Sequence, residues 1–251
     1  MPTPTVSVVI PVYGNEATLD ELHARIHNAV AHAYIEFIYV DDAGPDDSRL
    51  VLRRLAERDD RVHVVQMDQN VGQHAAVFVG LSYTTGQRIV VLDADLQDPP
   101  EILPQLLRGL DEGYEAVFGG RAGQYESVPL LAASWIFKRL LALTAGVPTD
   151  AGLLIAMSRR MVEHLGELPS RNPHIVAMIG HSGYAVSSLP VRRQRRSSGA
   201  SGYDLPKRLR LARQALTWRI RAAWVGRTGT RSRLPAHTVL AAHRPQPRHD
   251  E

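Results

Sequence analysis

A repeated alternation of short apolar runs and amphipathic segments is the feature that most constrains how this chain can fold. The runs are dominated by Val and Ile, and most of them stop at Gly, Asn or Asp, which is typical of buried strands followed by loops. Five such strands are predicted, at residues 6–12, 35–40, 62–66, 88–92 and 116–118. This alternation predicts an α/β fold with a mostly parallel central sheet flanked by helices.

The segments between the strands carry apolar residues at the three- and four-residue spacing of helices. In the first segment the apolar stripe begins at Leu19, and Thr18 and Glu21 have the spacing of a capping box. Later helices are predicted around Leu50, Leu52 and Leu55, and at residues 75–83, 102–110, 130–145 and 205–224.

Two carboxylates follow the fourth predicted strand directly, in the sequence Asp93-Ala94-Asp95. In an extended backbone both side chains point to the same side, where they can hold one hard divalent cation. Ligands of parallel sheets bind beyond the carboxyl ends of the strands, which is where this pair is expected. The alternative is a solvated strand end that caps the next helix. The chain contains neither GxGxxG after the first strand nor GxxxxGK[ST], which disfavours dinucleotide and P-loop sites.

Charge is distributed unevenly along the 251 residues. Residues 190–251 hold 15 Lys and Arg against 3 Asp and Glu, whereas the preceding residues hold 14 against 23, so a body of net charge −9 precedes a tail of +12. The chain has no cysteine, which excludes disulfides, thiolate metal sites and a thiol nucleophile. The N-terminus lacks a basic segment followed by an apolar one, and no run of about 18 uncharged apolar residues occurs. These features predict a cytoplasmic protein that does not span a membrane.

Basic residues interleaved with Leu and Trp at 192–221 predict contact with an anionic membrane, which would make the protein peripheral at the inner face of the cell membrane. RNA binding is a weaker alternative, because the strand-end acids argue against a nucleic-acid partner. A solvated arginine-rich face is the third alternative.

The stretch LDADLQDPPE at residues 92–101 resembles the signature of family 2 glycosyltransferases, in the branch of dolichyl-phosphate mannose synthases and polyprenyl-phosphate sugar transferases. Other stretches agree in order and spacing: SVVIPVYGNEATL, YVDDAGPDDS, NVGQHAAVFVGL, GGR at 119–121, DAGLLIAMSR and RSSGASGY. The resemblance implies a single GT-A-type, Rossmann-like domain at residues 1–203. Residues 1–98 would form its nucleotide-sugar-binding half and residues 99–203 its acceptor half. Beyond it we expect a basic amphipathic helix at 204–225 and a disordered tail at 226–251.

The same resemblance implies roles for individual residues. Asp93, Asp95 and Gln97 match the positions that bind Mg²⁺ or Mn²⁺, and the ion holds the diphosphate of a nucleotide-sugar donor. The expected donor-binding residues are Asp93 itself, Asp42 at the nucleotide base, and Pro11, Tyr13 and Glu16 of the first loop.

Three residues are predicted to be catalytic on this basis: Asp95, Arg121 near the phosphates, and Asp150 as the acceptor of a proton. A surface arginine is the alternative for Arg121. A turn aspartate is the alternative for Asp150, because it lies in a Pro-Thr-Asp-Ala-Gly sequence.

The implied activity is inverting, metal-dependent transfer of a hexose from a nucleotide sugar to a polyprenyl phosphate. Transfer to a hydroxyl of a soluble small molecule is the alternative, because the chain departs from the branch on the acceptor side. Leu153 to Ala156 replace a second acid and an FRL segment, Leu130 and Leu131 replace basic residues, and two C-terminal transmembrane helices of several bacterial relatives are missing. A non-catalytic binding protein is the third possibility.

Overall fold

A computed structural model describes residues 4–122, 147–168 and 173–194 of the chain. It contains one mixed sheet with the strand order β3-β2-β1-β4-β6-β5-β7. The strands are β1 (Val6–Val12), β2 (Ile35–Asp41), β3 (Val62–Gln66), β4 (Arg88–Val91), β5 (Ala116–Ala122), β6 (Ile155–Ser158) and β7 (Val186–Arg192). The helices are α1 (Leu19–Ala29), α2 (Ser48–Arg58), α3 (Gln73–Leu81), α4 (Leu103–Asp111), α5 (Arg159–Glu167) and α6 (Ile175–His181), with a 3-10 turn at Pro100–Ile102 before α4.

The sheet is parallel except at β6. Strands β1 to β4 run in one direction, and β5 and β7 share it, whereas β6 is antiparallel to both of its neighbours. In the register of β6 with β4, Ile155 lies opposite Val91. The beginning of β6 therefore lies at the same edge as the end of β4.

Two apolar cores lie on opposite faces of this sheet. One is formed by α1, α2 and α4 and contains Leu22, Leu52 and Leu106. The other is formed by α3, α5 and α6. Helix α3 packs closely against the sheet at Gly80. A Cβ added at this position would lie only 2.5 Å from Cγ1 of Val9. A layer of helices on each face of a mostly parallel sheet confirms the predicted fold class.

The five predicted strands are all present. Strand β2 is one residue longer and β4 one residue shorter than predicted, and β5 differs by more. Strand β5 continues through Gly119 and Gly120 to Ala122, so the prediction that it ends at Phe118 is wrong. Pairing with β7 extends it, since Gly120 lies opposite Pro190 and Arg121 opposite Val191.

The predicted capping box is also wrong. The Thr18 side chain makes no capping hydrogen bond to α1, and its hydroxyl donates instead to the carbonyl oxygens of Ala94 at 2.6 Å and Asn15 at 3.0 Å. Leu50 lies within α2, as predicted, but its side chain is 53% exposed. The helices predicted at 130–145 and 205–224, and the tail at 226–251, lie outside the described residues.

Candidate active site

The order of strands reverses between β1 and β4. From β1 the chain extends the sheet through β2 to β3, whereas β4 lies on the other side of β1 and leads to β6. A crevice opens beyond the carboxyl ends of the strands at such a switch point and is the usual ligand site of open α/β sheets. Asp93 lies two residues beyond the end of β4, at this position.

The turn after β4 carries the predicted metal ligands. Asp95 Oδ1 accepts a hydrogen bond of 3.1 Å from the backbone N–H of Gln97, which holds the turn closed. Leu96, between them, has a left-handed backbone with φ of 59° and a buried side chain. A non-glycine residue in this region costs about 1 kcal/mol or more, and such costs concentrate at functional sites. The turn is therefore held in a conformation that its residues would not adopt alone.

The loop before α3 connects Asp42 to this turn. The Asp42 carboxylate is buried and accepts hydrogen bonds from the backbone N–H groups of Val71 at 2.7 Å and Gly72 at 3.0 Å. The next residue, Gln73, donates from Nε2 to Oδ1 of Asp93 at 2.6 Å. Asp42 thus fixes the loop from which Gln73 orients the first acid of the pair.

Arg193, just beyond β7, lies among the acids of the turn. Its Nε donates to Asp98 Oδ1 at 2.6 Å, and its Nη2 pairs with Asp98 Oδ2 and lies 3.7 Å from Asp93 Oδ2. Its Nη1 donates to Gln97 Oε1 at 3.3 Å. Burial lowers the pKa of the guanidinium, but the hydrogen bonds and charge of Asp98, with the charges of Asp93 and Asp95, outweigh burial and raise it above its ordinary value.

The residues of the turn fit a divalent cation that is completed by other ligands. Carboxylate and amide oxygens are the donors that Mg²⁺ and Mn²⁺ prefer. A guanidinium already lies against Asp93 and Gln97, which indicates that the turn accommodates positive charge. Within the described part of the chain, no three His, Cys, Asp or Glu side chains are grouped to hold a metal by themselves. A dication here would therefore need further oxygen ligands, such as water or phosphate.

The first loop, after β1, contributes to a cavity of about 520 Å³ that is also lined by the start of α1, by α2 and by the turn after β4. Of the predicted site residues, Glu16 and Asp95 line this cavity, whereas Asp42, Asp93 and Gln97 do not. Tyr13, directly after β1, is 52% exposed. Pro11 is a buried residue within β1 and does not belong to the loop.

Asp46 ties this loop to α2. Its Oδ2 accepts from the backbone N–H of Glu16 at 2.9 Å, and its Oδ1 accepts from the backbone N–H of Ser48. Burial raises the pKa of Asp46, but these hydrogen bonds outweigh it and leave the pKa below its usual range.

Asp150 approaches the same edge from the segment before β6. Its Oδ2 accepts a hydrogen bond of 2.9 Å from the Ser188 hydroxyl of β7, and its carboxylate lies over Gly120, where a Cβ would overlap it. The backbone of Arg121 follows in β5, and the Arg121 side chain lies outside the part that the structure describes. Gly120 thus leaves room for a carboxylate against the strand, whereas Gly119 leaves room for the side chain of Leu154.

Four residues of the site were missed in the sequence: Gln73, Asp98, Ser188 and Arg193. Asp98 and Gln73 lie within stretches that resemble the family, but no role was assigned to them. Arg193 belongs to the basic run at 192–196, and the excess of positive charge there could have indicated a counter-ion for the strand-end acids. Ser188 carries no signal in the sequence.

Comparison with known proteins identifies the class. The family described as Glycosyl transferase family 2 matches residues 7–166. The uncharacterized glycosyltransferase YkcC of Bacillus subtilis (strain 168) is 30% identical over 216 residues, which cover 84% of this chain and 67% of that protein. The undecaprenyl-phosphate 4-deoxy-4-formamido-L-arabinose transferase of Klebsiella pneumoniae (strain 342) is 34% identical over 221 residues, which cover 86% and 68%. This chain belongs to glycosyltransferase family 2.

Solved structures agree on the fold. The mannosyltransferase PcManGT of Pyrobaculum calidifontis, in complex with GDP-Man and Mn²⁺, superposes with a TM-score of 0.63 at 23% identity, over 88% of this chain and 65% of that chain. Glucosyl-3-phosphoglycerate synthase of Mycobacterium tuberculosis, with Mn²⁺, UDP-glucose and phosphoglyceric acid, gives 0.62 at 23% identity, over 90% and 80%. The described domain is therefore of the GT-A type. Within residues 4–122, 147–168 and 173–194, no helix combines the length and apolar character needed to cross a membrane.

Proposed function

We propose that this chain is an inverting, divalent-metal-dependent glycosyltransferase that moves a sugar from a nucleotide-sugar donor to a polyprenyl phosphate. The observation that carries the proposal is the position of Asp93 and Asp95 directly beyond β4, at the switch point of the sheet. Relatives that align with 86% of this chain carry the name undecaprenyl-phosphate 4-deoxy-4-formamido-L-arabinose transferase.

On the donor side, Asp93, Asp95 and Gln97 would hold Mg²⁺ or Mn²⁺. When bound, the dication supplies electrostatic stabilisation of the departing nucleoside diphosphate. Glu16 and Tyr13 would border the nucleotide, and Asp42 would act on it through the loop at residues 70–73. Arg121 would add positive charge at the phosphates. Support for this half comes from the solved structures of the same fold, which contain Mn²⁺ with GDP-Man or UDP-glucose.

On the acceptor side, the oxygen attacks the anomeric carbon from the face opposite the leaving group, and the centre inverts. A lipid phosphate is already anionic, so no strong base is required for its attack. A polyprenyl acceptor is embedded in a lipid bilayer, and the enzyme would meet it as a peripheral protein at the inner face of the cell membrane. The basic residues of 192–221 other than Arg193, whose side chain is paired with Asp98, would supply the surface for this contact.

A soluble hydroxyl acceptor remains the second candidate, and one observation favours it. A hydroxyl must lose a proton during attack, and the Asp150 carboxylate is held in a defined position by Ser188 beside β5. In that case Asp150 would accept the proton.

The deciding experiment incubates the full chain and Mn²⁺ with radiolabelled nucleotide sugars, supplying undecaprenyl phosphate in mixed micelles or a water-soluble metabolite extract. We expect label in a lipid that mild acid releases. Label confined to the aqueous extract would replace the lipid acceptor with the hydroxyl one.

Asp95→Asn tests the metal-binding acid in the same assay, because it removes the charge at nearly constant shape. We expect turnover to fall at least a hundredfold. Asp60→Asn, at an exposed aspartate, serves as the matched control. Equal rates for the two variants would refute the assignment of the acid pair.

A further inference from the structure

The guanidinium of Arg193 contacts three residues of the acidic turn after β4. It is anchored by two contacts to the buried Asp98 and extends beyond them to Asp93 and Gln97. The side chain is 14% exposed, and Asp98 is 2% exposed. The contacts of Arg193 with Asp98 form a buried bidentate ion pair, whereas its contacts with Asp93 and Gln97 are longer.

The outer contacts engage oxygen atoms that the proposed metal site requires. Arg193 Nη2 lies 3.7 Å from Asp93 Oδ2, and Nη1 donates to Gln97 Oε1 at 3.3 Å. The other oxygen of Asp93, Oδ1, already accepts from Gln73. A dication bound to Asp93 and Gln97 must therefore separate these oxygens from Arg193 or share them with a second positive group.

We propose that Arg193 is a positioning residue that acts as the resident counter-cation of the acid turn, competing with the divalent metal for Asp93 and Gln97 while Asp98 retains it in the site. This inference rests on the proposed metal site and adds a competitor to it. A guanidinium stays charged throughout the physiological pH range, so the competition does not depend on its deprotonation.

The physical consequence is a penalty on binding of the metal alone. Like charges a few ångströms apart in a partly buried site repel each other strongly, and the turn must exchange existing hydrogen bonds for metal ligation. A donor diphosphate brings negative charge that can stabilise both cations together. Arg193 thus weakens the binding of the metal more strongly when the donor is absent than when it is present.

The test measures the affinity of the full chain for Mn²⁺ without nucleotide, from the electron paramagnetic resonance signal of free Mn²⁺. Arg193→Gln removes the charge and should bind Mn²⁺ about tenfold more tightly than the unmodified protein. Arg193→Lys keeps a cation at the end of a long side chain and should stay within about threefold of the unmodified protein. Arg192→Gln removes an exposed charge from the preceding residue and is the matched control. Unchanged or weaker Mn²⁺ binding by Arg193→Gln overturns the inference.

Loss of Arg193 leaves the Asp98 charge buried without its partner, which can impair folding. The double variant Arg193→Gln/Asp98→Asn removes both charges, keeps the net charge of the turn and should still bind Mn²⁺ more tightly than the unmodified protein. If the double variant binds no more tightly, direct competition is refuted. Asp95→Asn separates the two claims: it should abolish Mn²⁺ binding if the acid pair is the metal site. Binding that survives Asp95→Asn would refute that site and this inference together, whereas failure of the Arg193 variants alone refutes only the inference.

Discussion

Gln73 Nε2 donates a hydrogen bond of 2.6 Å to Oδ1 of Asp93, which links the first residue of α3 to the first acid after β4. The loop that delivers Gln73 is itself fixed by the Asp42 carboxylate through two backbone N–H groups. The acid pair is therefore oriented by a chain of contacts that begins at the end of β2. Residues that orient metal ligands in this way commonly change affinity or activity by 10- to 100-fold when they are replaced.

Replacing Gln73 with Ala should weaken the binding of Mn²⁺ by about tenfold, because Asp93 loses the donor that fixes its carboxylate. The affinity is measured without nucleotide by the signal of free Mn²⁺, and kcat/KM should fall in parallel. Gln87→Ala, at an exposed glutamine, is the control. Equal Mn²⁺ affinities for the two variants would show that the Gln73 contact does not position the acid.

Replacing Gly120 with Ala should displace the Asp150 carboxylate, because the new methyl group would overlap both it and the Ser188 hydroxyl. With a hydroxyl acceptor, whose proton Asp150 would accept, we expect at least about a tenfold loss of kcat. With undecaprenyl phosphate, which needs no strong base, we expect no such loss. Ser188→Ala removes only the hydrogen bond to Asp150, so with the same hydroxyl acceptor kcat should fall by about tenfold or less. Ser187→Ala, at the neighbouring strand residue, should match the unmodified enzyme. Normal rates with the hydroxyl acceptor in both Gly120→Ala and Ser188→Ala would exclude Asp150 from the reaction.

The stability of the fold should decrease in mild acid through a buried histidine pair. The rings of His74 and His174 stack with centroids 4.1 Å apart. Burial lowers the pKa of His174 to about 4, and burial together with the charge of His174 lowers that of His74 well below its ordinary value. The folded state then binds fewer protons than the unfolded state below about pH 6.5. As the pH falls from about 6.5 to 4, the lowered pKa of His174 alone should reduce the free energy of unfolding by up to about 3 kcal/mol.

Urea unfolding at a series of pH values measures this loss. His174→Asn keeps an acceptor for the Ala177 N–H at the start of α6 and should flatten the dependence on pH. His32→Asn, at an exposed histidine, should keep the dependence of the unmodified protein. A steep dependence that persists in His174→Asn would assign the loss to other groups.

Two helical glycines should respond to alanine in opposite directions. At Gly80 a Cβ would lie 2.5 Å from Val9 Cγ1 and 2.9 Å from Val40 Cγ2, so Gly80→Ala forces α3 away from the sheet and should destabilise by about 1–3 kcal/mol. At Gly166 the position is open, so Gly166→Ala should stabilise α5 by about 0.5–1 kcal/mol. The free energy of unfolding in urea distinguishes them, and a stabilised Gly80→Ala variant would contradict the close contact.

The sequence predicts the first half of the fold well because its determinants are local. Each of the first four strands is an apolar run with its own stop signal, and the position of Asp93 and Asp95 follows from the end of one such run. The extension of β5 through Gly120 could not be predicted, since glycine normally disfavours strands and only pairing with β7 shows why it continues. The contacts of Arg193 with Asp98 and of Ser188 with Asp150 join residues 95 and 38 positions apart, and no local pattern specifies such partners.

The reversed direction of β6 has a consequence for how this enzyme can diversify. Because β6 enters the sheet at the edge where β4 ends, residues 147–153 approach that edge before the chain pairs with β5 through Leu154. Val147 and Leu153 of this stretch, and Leu154 after it, are buried, whereas residues 148–151 are not. Under the proposed function, exchanging residues 148–151 with those of relatives is expected to alter acceptor preference while the strand that leads to Asp93 and Asp95 stays unchanged.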